Sequence, residues 1–176
     1  MVSGRWRKRV IEGERVWLRP IVAADAEAMF EMTQDDEGND LTATRATFER
    51  ATIDAWCASR AEQDLRLDLA IVERATGLFA GEVVLNEYDT AENAANFRIS
   101  LRGPAWYGRG LGGEATRLLV AHALAPVDAG GVGLSALTLT VLARNPRAIR
   151  VYERAGFVRT DTFEEEGERW IAMRIG

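Results

Sequence analysis

The chain has 176 residues, 47% of them hydrophobic, so we expect a single domain over residues 1–176, with residues 1–13 flexible or peripheral. Its formal net charge of -5 at pH 7 argues against a nucleic-acid partner, which requires a basic surface. The longest nearly uncharged apolar stretch, around Leu118 to Val127, is about half of the roughly 20 residues that a membrane-spanning helix needs, which favours a soluble cytoplasmic protein with no membrane partner.

The N-terminal half predicts a strand, two helices and three further strands. The segment RVWLRP is typical of a strand that ends at a proline, and an amphipathic helix is expected from about Asp25 to Thr33. The acidic segment TQDDEGND predicts a loop before a second helix, from Thr44 to about Ala61. Three β-rich runs separated by turn-forming residues then predict an antiparallel meander: LDLAIVE, GLFAGEVVLNEY and NFRISL.

The C-terminal half predicts two helices that alternate with strands. A glycine-rich segment leads into an apolar helix that begins near Gly112, and ALTLTVL is typical of a strand. The segment NPRAIRVYERAG has a proline in its first turn and Gly156 just past its end, as short helices commonly do. FVRTDTF and RWIAMRI close the chain as two strands. The order βααβββαβαββ indicates an α/β (α+β) fold with a mixed, mostly antiparallel sheet flanked by helices.

Four glycines lie between the predicted meander and the helix that follows it: Gly108, Gly110, Gly112 and Gly113. Glycine permits a positive φ and lets a ligand approach bare amides, while the start of a helix leaves several N–H groups unpaired. Such a segment suits a phosphate or pyrophosphate, and Arg109 could add a positive charge. A purely structural turn is the alternative.

Two other nucleotide-binding motifs and a zinc site fit the sequence poorly. A P-loop needs Gly-Lys-Ser or Gly-Lys-Thr, and the chain contains neither tripeptide. A dinucleotide-binding βαβ unit places its glycines after the first strand of a parallel sheet, whereas these follow an antiparallel meander. One cysteine, Cys57, and one histidine, His122, are too few for a Cys/His zinc site.

The segment YGRGLGGEATRLL resembles the acetyl-CoA pyrophosphate-binding motif of the GNAT superfamily of N-acetyltransferases, with Tyr107, Gly110 and Gly112 at its three defined positions. Tyr107 departs from the usual Gln or Arg and is similar to the residue of the branch of ribosomal-protein N-terminal acetyltransferases. A second segment, NPRAIRVYERAGF, is similar to the family pattern Asn-x-x-(Ala/Ser)-x-x-x-Tyr-x-x-x-Gly-Phe. VWLRPIVAADAEAMF also resembles the family's first strand and helix, so the resemblance covers nearly all of the chain.

The resemblance implies a GNAT fold and direct transfer of the acetyl group of acetyl-CoA to a primary amine. The shortage of Cys and His indicates that the chemistry uses no metal ion. The resemblance also implies a bulged strand from Arg98 to Leu101 whose N–H groups stabilise the oxyanion. Asn145 would bridge the pantetheine arm, although a plain helix N-cap would give the same sequence. The implied cofactor-binding residues are Ser100, Leu101, Arg109, Gly110, Leu111, Gly112, Gly113 and Asn145.

The implied mechanism needs a proton donor for the CoA thiolate and a base for the amine. Tyr152 is the candidate donor, because it lies two helical turns after Asn145 on the same face; a packing aromatic is the alternative. The base is Glu82, Glu87 or water, with a water chain that ends on Glu82 as the fallback. The odd spacing of the two glutamates projects them to opposite faces of a regular strand.

Charge is unevenly distributed along the chain. Nine arginines and three acids lie between Arg98 and Arg159, a local balance of +6 that leaves -11 for the remainder. The arginine-rich segment matches the phosphates of CoA. An acidic rim would attract a cationic amine, such as a protein N-terminus, a polyamine or an aminoglycoside, and is formed by Asp35, Asp36, Glu37 and Asp40. The sequence leaves open whether the protein forms a homodimer. The alternative function is a non-catalytic acyl-CoA-binding or sensing module.

Overall fold

A computed structural model describes residues 6–176 of the chain. Its strands are β1 (Ile11–Glu12), β2 (Val16–Pro20), β3 (Leu67–Glu73), β4 (Phe79–Asp89), β5 (Ala94–Leu101), β6 (Ala136–Leu142), β7 (Val158–Glu165) and β8 (Glu168–Ile175). Its α-helices are α1 (Ala26–Thr33), α2 (Asp36–Leu41), α3 (Arg50–Ser59), α4 (Leu111–Leu124) and α5 (Pro146–Ala155).

The strands form one eight-stranded sheet in the order β1-β2-β3-β4-β5-β6-β8-β7. Neighbouring strands are antiparallel except β5 and β6, which are parallel. This arrangement confirms the predicted mixed, mostly antiparallel sheet and the meander formed by β3, β4 and β5. β3 is buried along its whole length, and five of its seven residues are apolar. Its two acids, Asp68 and Glu73, form ion pairs with Arg66 and Arg109.

Helices cover both faces of the sheet. Alternation along β3 directs Leu69 and Ile71 into the hydrophobic cluster under α4 and α5, and Ala70 and Val72 into the cluster under α1 and α3. The strands therefore separate two apolar layers, and a residue's parity along its strand decides which layer it faces.

Residues 1–13 are predicted to be flexible or peripheral, and the part of them that the structure describes lies at the edge of the sheet and is held to it. Residues 1–5 lie outside the described part. Trp6 is buried, and its ring lies 5.4 Å from that of Tyr88. Residues of β1 pair with β2, with Ile11 opposite Leu18. A buried tryptophan supplies a large apolar area, which explains why this segment packs on the core.

The acidic segment that predicts a loop forms the helix α2 instead. The Asp35 carboxylate caps this helix by accepting the Gly38 N–H at 3.1 Å, and Asp36 and Glu37 lie in its first turn, where the helix dipole favours negative charge. The composition hid the helix, because Asp, Asn and Gly are poor helix formers. The next helix, α3, begins at Arg50 rather than near residue 44.

Candidate active site

A gap opens in the sheet between β5 and β6. The two strands pair over three residues each, and the last pair is Asn96 with Thr138. Beyond it β5 continues to Leu101 and β6 to Leu142. Their C-terminal halves therefore form two edges whose backbone groups do not pair with each other.

The backbone of Ile99 and Leu101 points into this gap. The N–H of Arg102 donates to the carbonyl oxygen of Ala80 in β4 at 2.8 Å. Successive residues of a strand direct their backbone groups to opposite sides, so the N–H groups of Leu101 and Ile99 face away from β4. The N–H of Ser100 faces β4. Of Ser100 and Leu101, the two strand residues predicted to bind the cofactor, only Leu101 directs its N–H into the gap. Ile99 also does so, but the sequence did not predict it.

The bulge expected between Arg98 and Leu101 is not found in the described register. β4 and β5 pair regularly over this range, and the register shifts instead between Asn86 and Asp89 of β4. The expectation of a bulge is therefore wrong. The N–H groups that it would have freed are available because β6 diverges from β5.

The glycine-rich segment places the start of α4 beside the gap. Gly108 and Gly110 have φ of 70° and 79°, a region that disfavours side chains, and Gly110 is the N-cap of α4. A Cβ on Gly112 would lie 3.6 Å from Cδ1 of Leu101. The structure thus brings Leu101 together with the predicted cofactor-binding residues 110–113, whose N–H groups start the helix.

Arg109 is already paired, and a second arginine lies at the helix start. The Arg109 guanidinium forms an ion pair with buried Glu73 and lies 5.1 Å from the Trp106 ring. Arg15 donates from Nη1 to the Arg109 carbonyl oxygen at 3.3 Å, and that nitrogen would lie 2.8 Å from a Cβ on Gly110. Sequence reasoning missed Arg15, because it belongs to the connection between β1 and β2 and no local pattern marks it.

Asn145 is the N-cap of α5. Its Oδ1 accepts the Ala148 N–H at 3.1 Å, and its Nδ2 donates to the Leu41 carbonyl oxygen at 3.3 Å. The N-cap alternative therefore describes its side chain. Asn145 also joins the end of α2 to the start of α5, and no local sequence pattern predicts this contact.

Tyr152 belongs to a buried aromatic cluster. Its ring lies 6.1 Å from that of Phe97 and 6.0 Å from that of Phe157, and both contacts are edge-to-face. Burial raises the pKa of Tyr152 to about 12, so its hydroxyl stays protonated at neutral pH. The ring is therefore a packing aromatic, as the alternative predicts. Its protonated hydroxyl can still act as a proton donor.

Glu82 is a buried carboxylate with an unpaired oxygen. Its Oε2 has no hydrogen-bond partner among residues 6–176. Burial raises the pKa of Glu82 to about 7, and the positive charge of Arg98 opposes this rise. Glu87, in contrast, is exposed and has a φ of 51° beside the register shift of β4. Of the two glutamates, Glu82 has the environment of a base that works near neutral pH.

Glu82 and Tyr152 lie on opposite faces of the sheet. Glu82 is directly across from Ser100, whereas the ring of Tyr152 packs on Phe97. Ser100 and Phe97 are an odd number of residues apart on a regular strand, so their side chains project to opposite faces. Glu82 therefore lies on the α1 and α3 side of the sheet, and Tyr152 lies on the α4 and α5 side.

The acids of α2 and its N-cap are largely neutralised. Three of them contact residues that follow β5 or β6: Asp35 accepts from the Tyr107 hydroxyl, Glu37 pairs with Arg147 at 3.0 Å, and Asp40 pairs with Arg144 at 2.7 Å. Burial and the bond to Asp35 raise the pKa of Tyr107. Asp36 forms no ion pair with another described residue. The predicted separation of an acidic rim from the arginine-rich segment is therefore wrong here, because the two sets contact each other.

Cys57 and His122 are packing residues. Burial raises the pKa of the Cys57 thiol to about 11 and lowers that of His122. Residues 6–176 contain no group of three or more His, Cys, Asp or Glu side chains suited to a metal ion. None of the helices in that range is both long enough and apolar enough to cross a membrane.

Comparison with known families decides the class of the chain. A family model described as an acetyltransferase (GNAT) domain matches residues 15–158. The chain belongs to this family. The matched range of the GNAT domain includes the gap, the glycine-rich segment and α5. The protein is accordingly an acetyl-CoA-dependent acetyltransferase, which counts against the non-catalytic alternative.

Solved structures of other proteins share the predicted GNAT fold. A GNAT-family acetyltransferase from Bacillus anthracis has a TM-score of 0.77 at 17% identity, over 95% of this chain and 98% of that chain. Spermidine N-acetyltransferase from Vibrio cholerae, in complex with CoA and spermine, has a TM-score of 0.77 at 19% identity, over 93% and 96%. A structure assigned provisionally as a ribosomal-protein-serine acetyltransferase from Vibrio cholerae has a TM-score of 0.73 at 20% identity, over 95% and 97%. A search of curated proteins finds no match.

Proposed function

We propose that this GNAT acetyltransferase transfers the acetyl group of acetyl-CoA to a primary amine by direct attack, with Glu82 as the base and Tyr152 as the acid. The observation that carries the proposal is the buried, unpaired Oε2 of Glu82 on β4, the strand that pairs with β5 on the side away from the gap. An unpaired buried carboxylate oxygen is costly to fold, so its presence one strand away from the gap supports a functional role.

The two residues suit the two proton transfers of this reaction. A protonated amine must lose a proton before its nitrogen attacks the thioester carbon, and Glu82, with a pKa of about 7, can accept that proton directly or through water. When the C–S bond breaks, the CoA thiolate needs a proton, which the protonated Tyr152 hydroxyl can donate. Because the two groups lie on opposite faces, each can serve one substrate.

The remaining groups of the site suit the donor. The N–H groups of Ile99 and Leu101 are candidates to stabilise the tetrahedral oxyanion in the gap. The first turn of α4, with Arg15 beside it, offers N–H groups and positive charge to the pyrophosphate. Asn145 would contact the pantetheine arm only if its Nδ2 exchanged the Leu41 carbonyl for the ligand.

The acceptor is proposed as a protein N-terminus or a small cationic amine. One similar structure is a spermidine N-acetyltransferase, which acts on a small cationic amine. Another is assigned provisionally as a ribosomal-protein-serine acetyltransferase. Tyr107, at the first position of the glycine-rich motif, favours the ribosomal-protein branch. The unpaired Asp36 supports a cationic acceptor. We also retain the cytoplasm as the proposed location, since the single, buried Cys57 needs no oxidising compartment.

Glu82→Gln tests the proposed base, with Glu87→Gln as the matched control on the same strand. With a panel of primary amines and CoA release as the readout, Glu82→Gln should lower kcat by about 10²- to 10⁴-fold, the range for one acid or base group. Acetyl-CoA affinity, measured by calorimetry, should not change. Equal turnover by the two variants would show that Glu82 is not the base.

Tyr152→Phe tests the proposed acid, because it keeps the ring and removes the hydroxyl. We expect acetyl-CoA affinity near that of the unmodified protein and a fall in kcat of about 10²- to 10⁴-fold. Phe157→Leu, in the same aromatic cluster, is the packing control. Normal turnover by Tyr152→Phe across the pH range would mean that the thiolate leaves without this hydroxyl.

A further inference from the structure

A basic cavity lies between α5 and the β7–β8 hairpin, on the far side of α5 from α4. It has a volume of about 470 Å³ and an apolar floor that includes the buried side chains Ile149 and Ile171. Its rim carries Arg150, Arg159 and Arg169. The cavity is separate from the gap between β5 and β6, so the proposed transfer reaction does not use it.

Two of the three rim arginines are not neutralised. Arg159 forms an ion pair with Glu153 at 2.9 Å. Arg150 and Arg169 form no ion pair with any other residue in the range 6–176, although most arginines near the gap are paired. Two exposed guanidinium groups over an apolar floor suit a carboxylate-bearing partner.

The turn of the same hairpin carries the opposite charge. Glu165 and Glu168 face each other across the hairpin, and Glu166 and Gly167 between them both have positive φ, 51° and 80°. Positive φ at both central residues is typical of a tight type I′ turn. Glu164, Glu165 and Glu166 form no ion pair within the described part of the chain, so the turn presents three free carboxylates.

We propose that the acidic turn of one copy of this chain docks over the basic cavity of a second copy, and that the turn of the second copy docks over the cavity of the first. Arg169 lies directly across the hairpin from Glu164, so the cavity and the turn adjoin on one element. A two-fold axis near this pair would place each turn over the partner's cavity, an isologous contact in which every attraction occurs twice. The occupant is therefore a second copy of the chain.

Charge reversal on each side of the contact tests this proposal. The cavity variant is Arg150→Glu with Arg169→Glu, and the turn variant is Glu165→Lys with Glu166→Lys. Sedimentation velocity at about 50 mM salt should give a dimer of the 19.5 kDa chain for the unmodified protein and monomers for each variant alone. An equimolar mixture of the two variants should restore a dimer, because both of its contacts are again between opposite charges. High salt should weaken all of these dimers by screening.

The control is Arg7→Glu with Arg117→Glu, which changes the net charge equally at exposed sites outside α5 and the β7–β8 hairpin, and it should remain dimeric. Circular dichroism checks that each variant is folded. A monomeric unmodified protein, dimeric single variants, or a mixture that stays monomeric would each overturn the proposal. Capture of a small anion by the cavity of a monomer would overturn it as well.

Discussion

The buried carboxylate of Glu114 accepts the backbone N–H of Arg15 through both of its oxygens, each at 3.1 Å. This contact joins the first turn of α4 to the connection between β1 and β2. Gly13 permits the approach, because a Cβ there would lie 2.3 Å from Oε1 of Glu114. Residues near the N-terminus therefore position the start of α4, and with it the proposed pyrophosphate site.

Removal of this carboxylate should therefore destabilise the protein. Glu114→Ala leaves the partly buried N–H groups of Glu14 and Arg15 without their acceptor, which costs about 1 to 3 kcal/mol. Urea unfolding at pH 7 should show a loss of at least that size, and acetyl-CoA binding should weaken because Arg15 is no longer held. Arg117→Ala, exposed on the same helix, should stay within about 0.5 kcal/mol of the unmodified protein. Equal stability of the two variants would contradict a role for this contact.

Two glycines of the same segment should respond with opposite signs. Gly110 has a φ of 79°, so Gly110→Ala should lower the free energy of unfolding by about 1 to 2 kcal/mol. Gly113 lies within α4, and its added Cβ would meet only the flexible end of Arg117, at 3.7 Å. Gly113→Ala should raise the stability of the ligand-free protein by about 0.5 to 1 kcal/mol. Urea unfolding of both variants checks the pair, and a loss at both positions would place Gly113 outside regular helix.

The stability of the protein should depend on pH through Glu82. Its pKa is raised from 4.5 to about 7 in the folded state, so folding favours the protonated form. Stability from this group is fully present below about pH 4.5 and is lost as the pH rises through about 7. At 1.36 kcal/mol per pKa unit the loss is about 3 kcal/mol.

Glu82→Gln mimics the protonated carboxyl and should remove this dependence. Its stability relative to the unmodified protein should grow between pH 5 and pH 8, by about 3 kcal/mol at most, as measured by urea unfolding at each pH. Glu87→Gln, exposed on the same strand, provides the comparison. A constant difference between Glu82→Gln and the unmodified protein would mean that Glu82 is not buried as its surroundings indicate.

The contacts of α2 refine the expected effect of its charges on the acceptor. Asp36→Asn removes a charge without breaking an ion pair, so it should raise the KM of a cationic acceptor at low salt by about 2- to 5-fold, the equivalent of an exposed pair. Added salt should cancel the difference. Glu37→Gln releases Arg147 and should alter the position of α2 as well. If Asp36→Asn leaves KM unchanged at low salt, this acid does not attract the substrate.

Strands and the glycine-rich helix start could be predicted because local chemistry determines them. The runs that form β3 and β6 each have five apolar residues out of seven, and positive φ at Gly110 favours the glycine found there. The helix α2 could not be predicted, because its residues have low helix propensity and contacts distant in sequence hold it. Local pattern carries no information about such contacts.

The same limit applies to the site. Glu82 and Tyr152 were selected by spacing and resemblance, but the sequence did not say that they face opposite sides of the sheet, which follows from strand register. Arg15 carries no signal at all, since its proximity to Gly110 depends on how the hairpin of β1 and β2 lies against α4. Arg109 was the natural choice from its position, yet Glu73 holds it.

None of the six residues of α2, all of them described, is buried, and the helix is held by ion pairs and hydrogen bonds at both ends. Exposed ion pairs contribute little, and little apolar area, chiefly that of the half-buried Leu41, opposes separation of this helix from the sheet. Its local opening free energy should therefore lie well below that of global unfolding. Amide hydrogens of α2 should exchange with solvent long before those of β3, and faster still at high salt, so the wall beside the proposed acceptor site can open while the rest of the fold stays intact.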